Sequence, residues 1–117
     1  MTDIPFNRAE CDQRRIEAAG YTIYDLASDT SDNWGVVILD IDEAPTHFHK
    51  IGHEHFLVLS GKLHVTSNGK AEVLTPGQGI HIKPGTDHKL KSATPKPVRV
   101  LCVNFPIFDR GDLYTAD

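Results

Sequence analysis

The sequence predicts an all-β chain folded as a sandwich or barrel, and three observations carry that prediction. From Tyr21 onward the chain is a succession of short runs rich in valine, isoleucine, leucine and aromatic residues. Each run closes on a turn signal, and the spacing between runs is too short for intervening helices.

The runs are YTIYDL, WGVVILDI, EHFLVLS, KLHVT, AEVL, GIHIK, HKLK and VRVLCVNF. Between them stand Asn33, Ser60-Gly61, Ser67-Asn68-Gly69, Pro76-Gly77 and Pro84-Gly85, residues that accept positive φ or preset a turn. Asn68-Gly69 is the strongest of these signals, because the pair suits the two-residue hairpin turn whose twist matches its flanking strands. Upstream, residues 8–19 (RAECDQRRIEAA) are rich in helix formers and end at Gly20, so a short N-terminal helix is expected there.

The 117 residues suit one domain over 1–117, with a barrel core at about 20–112, and 39% hydrophobic content is enough for one compact core. Twelve basic against sixteen acidic residues give a net charge of −4, which offers no field for a phosphate backbone, so no nucleic-acid partner is expected. The first residues lack a basic segment followed by an apolar run, and no stretch has the length to span a bilayer; the expected location is the cytoplasm, without a membrane partner. Cys11 and Cys102 lie far apart without CxxC spacing and read as free thiols, Cys102 as a small apolar filler in a strand.

Four of the seven histidines fall between residues 47 and 55, around Glu54. If residues 46–49 are extended, His47 and His49 project from one face, since strand side chains alternate with period two. Lys50 to His53, with Gly52 among them, can reverse the chain so that Glu54 brings a carboxylate to the same face. Glu54, Phe56 and Val58 then point one way and His55, Leu57 and Leu59 the other, which leaves His53 and His55 outside the ligand set. His88, after Pro84-Gly85, is a fourth group that a barrel could return to the first three. Three imidazoles and a carboxylate suit Fe, Mn, Ni, Cu or Zn, and an octahedral ion so held keeps two positions open for water, substrate or dioxygen.

These residues resemble the motifs of the cupin superfamily. The first, G-x5-H-x-H-x(3,4)-E-x6-G, is matched by His47-Phe48-His49, four residues, Glu54, six residues and Gly61, with Ile41 in place of the leading glycine. The second, G-x5-P-x-G-x2-H-x3-N, is matched by Gly77, Gly85 and His88, with Lys83 for the proline and Ser92 for the asparagine. Residues 62–76 separate the two, a spacing similar to that of small single-domain cupins, and Asn104 to Asp109 is similar to the tail after their last barrel strand.

The resemblance implies a jelly-roll barrel, the double-stranded β-helix of RmlC-like proteins. It also implies a divalent transition metal on His47, His49, Glu54 and His88, which would act in catalysis through the ion. His64 and His81, on other predicted strands, are candidates for a pocket-facing acid-base or supporting role. The string from Glu54 to Gly61 is similar to a stretch of sugar-isomerase cupins and points toward a small polar metabolite, a sugar or a carboxylate. Two classes of function follow: a metal-dependent enzyme of isomerase, lyase or dioxygenase type, or a non-catalytic small-molecule sensor or metal-storage protein. A homodimer is expected, paired through an outer sheet face that includes Leu57 and Leu59.

Overall fold

The computed structural model describes residues 15–29, 31–106 and 110–115. Eleven strands account for most of them: β1 Arg15–Ala18, β2 Tyr21–Asp29, β3 Trp34–Ile41, β4 Glu43–Phe48, β5 His53–Ser60, β6 Leu63–Ser67, β7 Lys70–Leu74, β8 Gly79–Ile82, β9 His88–Ser92, β10 Val98–Phe105 and β11 Tyr114–Thr115. A 3-10 turn, Arg110–Asp112, precedes the last strand.

The strands form two antiparallel sheets, one in the order β1-β2-β3-β10-β5-β8 and the other β11-β4-β9-β6-β7. Their inner faces meet over Ile41, Val58, Leu63, Val65, Val98 and Val100, each almost fully buried. Packing of this kind needs one apolar residue at every second position. The strand β5 supplies it: Glu54, Phe56 and Val58 are buried while His55, Leu57 and Leu59 are exposed. In β9 the same alternation buries His88, Leu90 and Ser92 and turns Lys89 and Lys91 outward.

The hairpin expected at Asn68-Gly69 is present. Ser67 pairs with Lys70, and both turn residues have positive φ, 51° at Asn68 and 78° at Gly69. Gly61 closes the β5–β6 turn at φ 85°, where an added Cβ would stand 3.2 Å from the Cα of Val98. Only glycine suits both that dihedral and that approach.

The expected N-terminal helix is not found where it can be tested. Arg15–Ala18 is a strand, paired in register with Tyr21–Tyr24; residues 8–14 lie outside the described residues. Gly20 is a turn glycine of this hairpin rather than a helix stop, and its carbonyl accepts the N–H groups of Asp42 and Glu43. Helix propensity at Glu17 and Ala18 is worth a few tenths of a kcal/mol per residue, less than the ladder that β2 offers at the sheet edge.

Candidate metal centre

Antiparallel pairing of β4 with β9 sets His47 directly opposite His88, with ring centroids 4.2 Å apart. His49 follows the end of β4, and Glu54 enters from β5 across the loop at residues 49–52. One ligand atom from each of the four residues lies within 4.8 Å of all the others. His88, His49 and Glu54 are buried, at 1%, 4% and 9% exposure.

All three imidazoles are held in one tautomer. The Nδ1 of His47 lies 2.7 Å from the carbonyl of Pro45, that of His49 2.7 Å from Asp112, and that of His88 3.0 Å from Thr86. A carbonyl only accepts, so each Nδ1 donates and each neutral ring turns a bare Nε2 lone pair toward Glu54. The Oε1 of Glu54 stands 2.8 Å from His49 Nε2 and 3.2 Å from His88 Nε2. These separations are ion pairs only if the rings are imidazolium. With neutral rings, the buried His88 Nε2 and Glu54 Oε1 are acceptors that face one another with no donor between them.

A cation at the point of convergence satisfies both at once, and protons are its competitors. Burial pushes the Glu54 carboxyl up, but His49 and His88 outweigh it and hold it at about 2. Burial likewise pushes His49 down, while Glu54 and the Asp112 carbonyl bring it above the ordinary histidine value. His47, with burial and the neighbouring His88 both acting against its charge, is lowered.

Three further residues hold this arrangement, and the sequence did not single them out for it. The Asp112 carboxylate accepts the backbone N–H groups of Lys50 at 2.8 Å, Ile51 at 3.2 Å and Gly52 at 2.8 Å, while its carbonyl takes the Nδ1–H of His49. It therefore fixes both the β4–β5 loop and a candidate ligand. The fully buried Cys102 thiol stands 3.8 Å from Glu54 Oε2 and 3.3 Å from the Oδ1 of Asn104. Burial and the Glu54 charge push that thiol well above its usual value, so it is a neutral donor beside the carboxylate.

His64 and His81 do not join the cluster. In β6 the buried positions are Leu63 and Val65, which turns His64 outward; in β8 the buried position is Ile82, and His81 is exposed. His53 and His55 also lie on the outer side, where His81 meets them.

Behind the candidate ligands the barrel interior holds a cavity of about 80 Å³ that opens to solvent. Its walls are mainly apolar, with Ile23, Leu39, Ile41, Phe56 and Leu90 among them, and Tyr21, Cys102 and Asn104 add polar groups near the histidines.

Comparison with known proteins agrees with this geometry. The cupin domain family matches residues 36–104, which is more than half of the chain. The chain belongs to the cupin family. No curated protein matches it by sequence. Among solved structures, this cupin is similar to a Streptomyces PAC13 variant with uridine at TM-score 0.82 and 15% identity, covering 99% of this chain and 92% of that one. KdgF from Halomonas sp. matches at TM-score 0.79 and 20% identity, over 92% and 97% of the two chains. Ectoine synthase from P. lautus matches at TM-score 0.78 and 17% identity, over 98% and 91%. At these identities the likeness is one of fold. Among the described residues no helix is long and apolar enough to cross a membrane.

Proposed function

We propose that this cupin is a metal-dependent enzyme, with a divalent transition ion held by His47, His49, Glu54 and His88. The observation that carries the reading is the pair of buried, unpartnered acceptors, His88 Nε2 and Glu54 Oε1, set beside His47 and His49 at the polar end of an open-mouthed cavity. An ion bound there would supply Lewis acidity or, if it is iron, oxygen activation. The chain supplies the rest. Backbone carbonyls hold the three imidazoles in the coordinating tautomer, Cys102 steadies the second oxygen of Glu54, and the apolar walls exclude water. Four protein ligands leave two positions of an octahedral ion open for water or substrate, which a storage site does not need, and this favours the enzyme.

The cavity also bears on the substrate. No lysine or arginine stands among its described lining residues, and a sugar would bring hydroxyls to Ile23, Leu39 and Phe56 without partners. Each such group buried unpaired costs about 1–3 kcal/mol. A small carboxylate fits better: its head reaches the metal end and its body lies on the apolar wall. The reading is thus an isomerase, lyase or dioxygenase acting on a small carboxylate, in preference to a sugar.

Elemental analysis of protein purified without added metal comes first, followed by thermal shifts of the metal-loaded chain with 2-oxo and 2-hydroxy carboxylates of increasing chain length. The expected shift grows with chain length until the cavity is full and disappears in His88→Ala. Conversion of any stabilising compound is then followed by NMR. Shifts from sugars alone would replace the carboxylate reading, and tight ligand binding with no turnover under any metal would replace the enzyme reading with a sensor.

A further inference from the structure

The outer face of the six-stranded sheet carries a second group of imidazoles that the interior site does not use. His53 and His55 leave β5 on the side opposite Glu54, and His81 leaves the adjacent strand β8 directly across from His55. Three of the seven histidines of the chain thus share one exposed spot.

Their geometry is specific. His53 Nδ1 and His81 Nε2 stand 3.0 Å apart, with ring centroids at 5.2 Å and planes inclined by 24°. His55 lies flat against His81, with centroids at 4.2 Å and planes within 11°, and its own Nδ1 faces the carbonyl of Val103 at 3.4 Å. Two imidazole nitrogens bound to one ion at ~2.0–2.1 Å stand about 2.9 Å apart at a right angle and about 3.4 Å apart at the tetrahedral angle. The observed 3.0 Å falls between those limits. An N–H···N hydrogen bond spans the same gap, so a proton and a metal ion compete for it.

An exposed histidine ordinarily samples several rotamers, and fixing one costs conformational entropy on binding. The His81 ring is already confined by His55 on its face and His53 at its edge. The rings are accessible, so an ion reaches them without a large desolvation cost, and apolar packing of the barrel gives no reason for them to be there. Burial, His55, His53 and Lys83 together lower the His81 ring. A neutral imidazole is the coordinating form.

We propose that His53 and His81 form a second metal site, a two-imidazole chelate for zinc, nickel or copper(II) on the outside of the barrel, with the plane of His81 set by its stack on His55. The site is independent of the interior one, since the two use opposite faces of β5.

The test is equilibrium dialysis of the full chain against Zn²⁺ at about pH 7.5, where a histidine of ordinary pKa is neutral. Wild type, His81→Gln, the double variant His47→Ala/His49→Ala and the corresponding triple variant are compared. His81 is exposed, so its substitution leaves the barrel intact. Two ions per chain are expected in wild type, one in His81→Gln, one in the double variant and none in the triple. With Cu²⁺, the double variant should show nitrogen hyperfine structure in its EPR spectrum that His81→Gln removes. A second ion retained in His81→Gln, or a single wild-type ion that this substitution leaves in place, overturns the proposal. A single wild-type ion lost in His81→Gln but kept in the double variant supports it while refuting the interior site.

Discussion

Replacing Asp112 tests the proposed metal-holding role of the chain apart from its folding. In Asp112→Ala the N–H groups of Lys50, Ile51 and Gly52 lose their shared acceptor. Hydrogen bonds to a charged group contribute about 1.5–3 kcal/mol each. Asp112 is only half-buried, and the freed N–H groups regain water, so the net loss over all of them is about 1–3 kcal/mol. That loss falls on the loop carrying His49, whose Nδ1–H bonds to the Asp112 carbonyl. Metal affinity should therefore fall on the order of 10–100-fold, the usual consequence of disturbing the outer partner of a ligand imidazole. Asp112→Asn, which keeps one accepting oxygen, should fall between.

Burial pushes the Asp112 carboxyl up, but the N–H groups of Gly52, Lys50 and Ile51 prevail and lower it below the ordinary range. A carboxylate depressed in the folded state contributes fully above its unfolded value, near ~3.9, and its contribution is lost only as pH falls through the folded value. The ratio between wild type and Asp112→Ala should thus be the same at about pH 7 and about pH 5.5, even as both affinities weaken through histidine protonation. Competition with a chromophoric chelator at the two pH values measures it. Wild-type affinity in Asp112→Ala, or a ratio that collapses between those pH values, would refute the reasoning.

Three further outcomes are expected. His47→Ala, His49→Ala and His88→Ala should each strongly reduce interior metal content, as followed by elemental analysis, while His64→Ala leaves it unchanged; metal retained in His88→Ala would mean that the β4–β9 register is wrong. Between about pH 7 and about 5 the metal-loaded protein should lose more thermal stability than the metal-free protein in melts at constant free metal, because protons displace the ion. In the metal-free chain the lowered His47 favours folding at higher pH and the raised His49 at lower pH, so the two act in opposite directions; parallel curves for the two forms would count against a histidine-dominated site. The chain should be a homodimer by light scattering at micromolar concentration, paired on the outer sheet face over Leu57 and Leu59, which run toward the end of β5 away from His53. Leu59→Asp should give the monomer mass, and a monomeric wild type would remove the idea.

The strands were legible in the sequence because each obeys a local rule. Phe56 and Val58 alternate with Leu57 and Leu59, and Asn68-Gly69 can do little else than turn. The four candidate ligands were legible because parity and spacing place them together, with His47 and His49 two apart and Glu54 on the inner phase of its strand. The outward aim of His64 was also available: Leu63 and Val65 on either side of it are core residues, and alternation leaves the histidine outside. Asp112 was not legible. Its partners lie some 60 residues away, and no local pattern says which acidic residue near the last strands will meet three N–H groups of a distant loop. The edge strand Arg15–Ala18 was hidden for a related reason: its structure comes from β2, against its own propensity.

The bond between His49 and the Asp112 carbonyl spans 63 residues of sequence, and this bears on the order of folding events. The segment carrying His47, His49 and Glu54 is complete early in the chain, yet His88 joins it only when β9 has paired with β4. His49 is fixed only after β10 has been inserted between β3 and β5 and the following turn has folded back. Each of these steps closes a long loop, which is slow compared with hairpin formation. Under the proposed function, tight metal capture would report finished assembly: in a refolding chain supplied with excess ion, its rate should be set by the docking of Asp112 and not by diffusion of the metal.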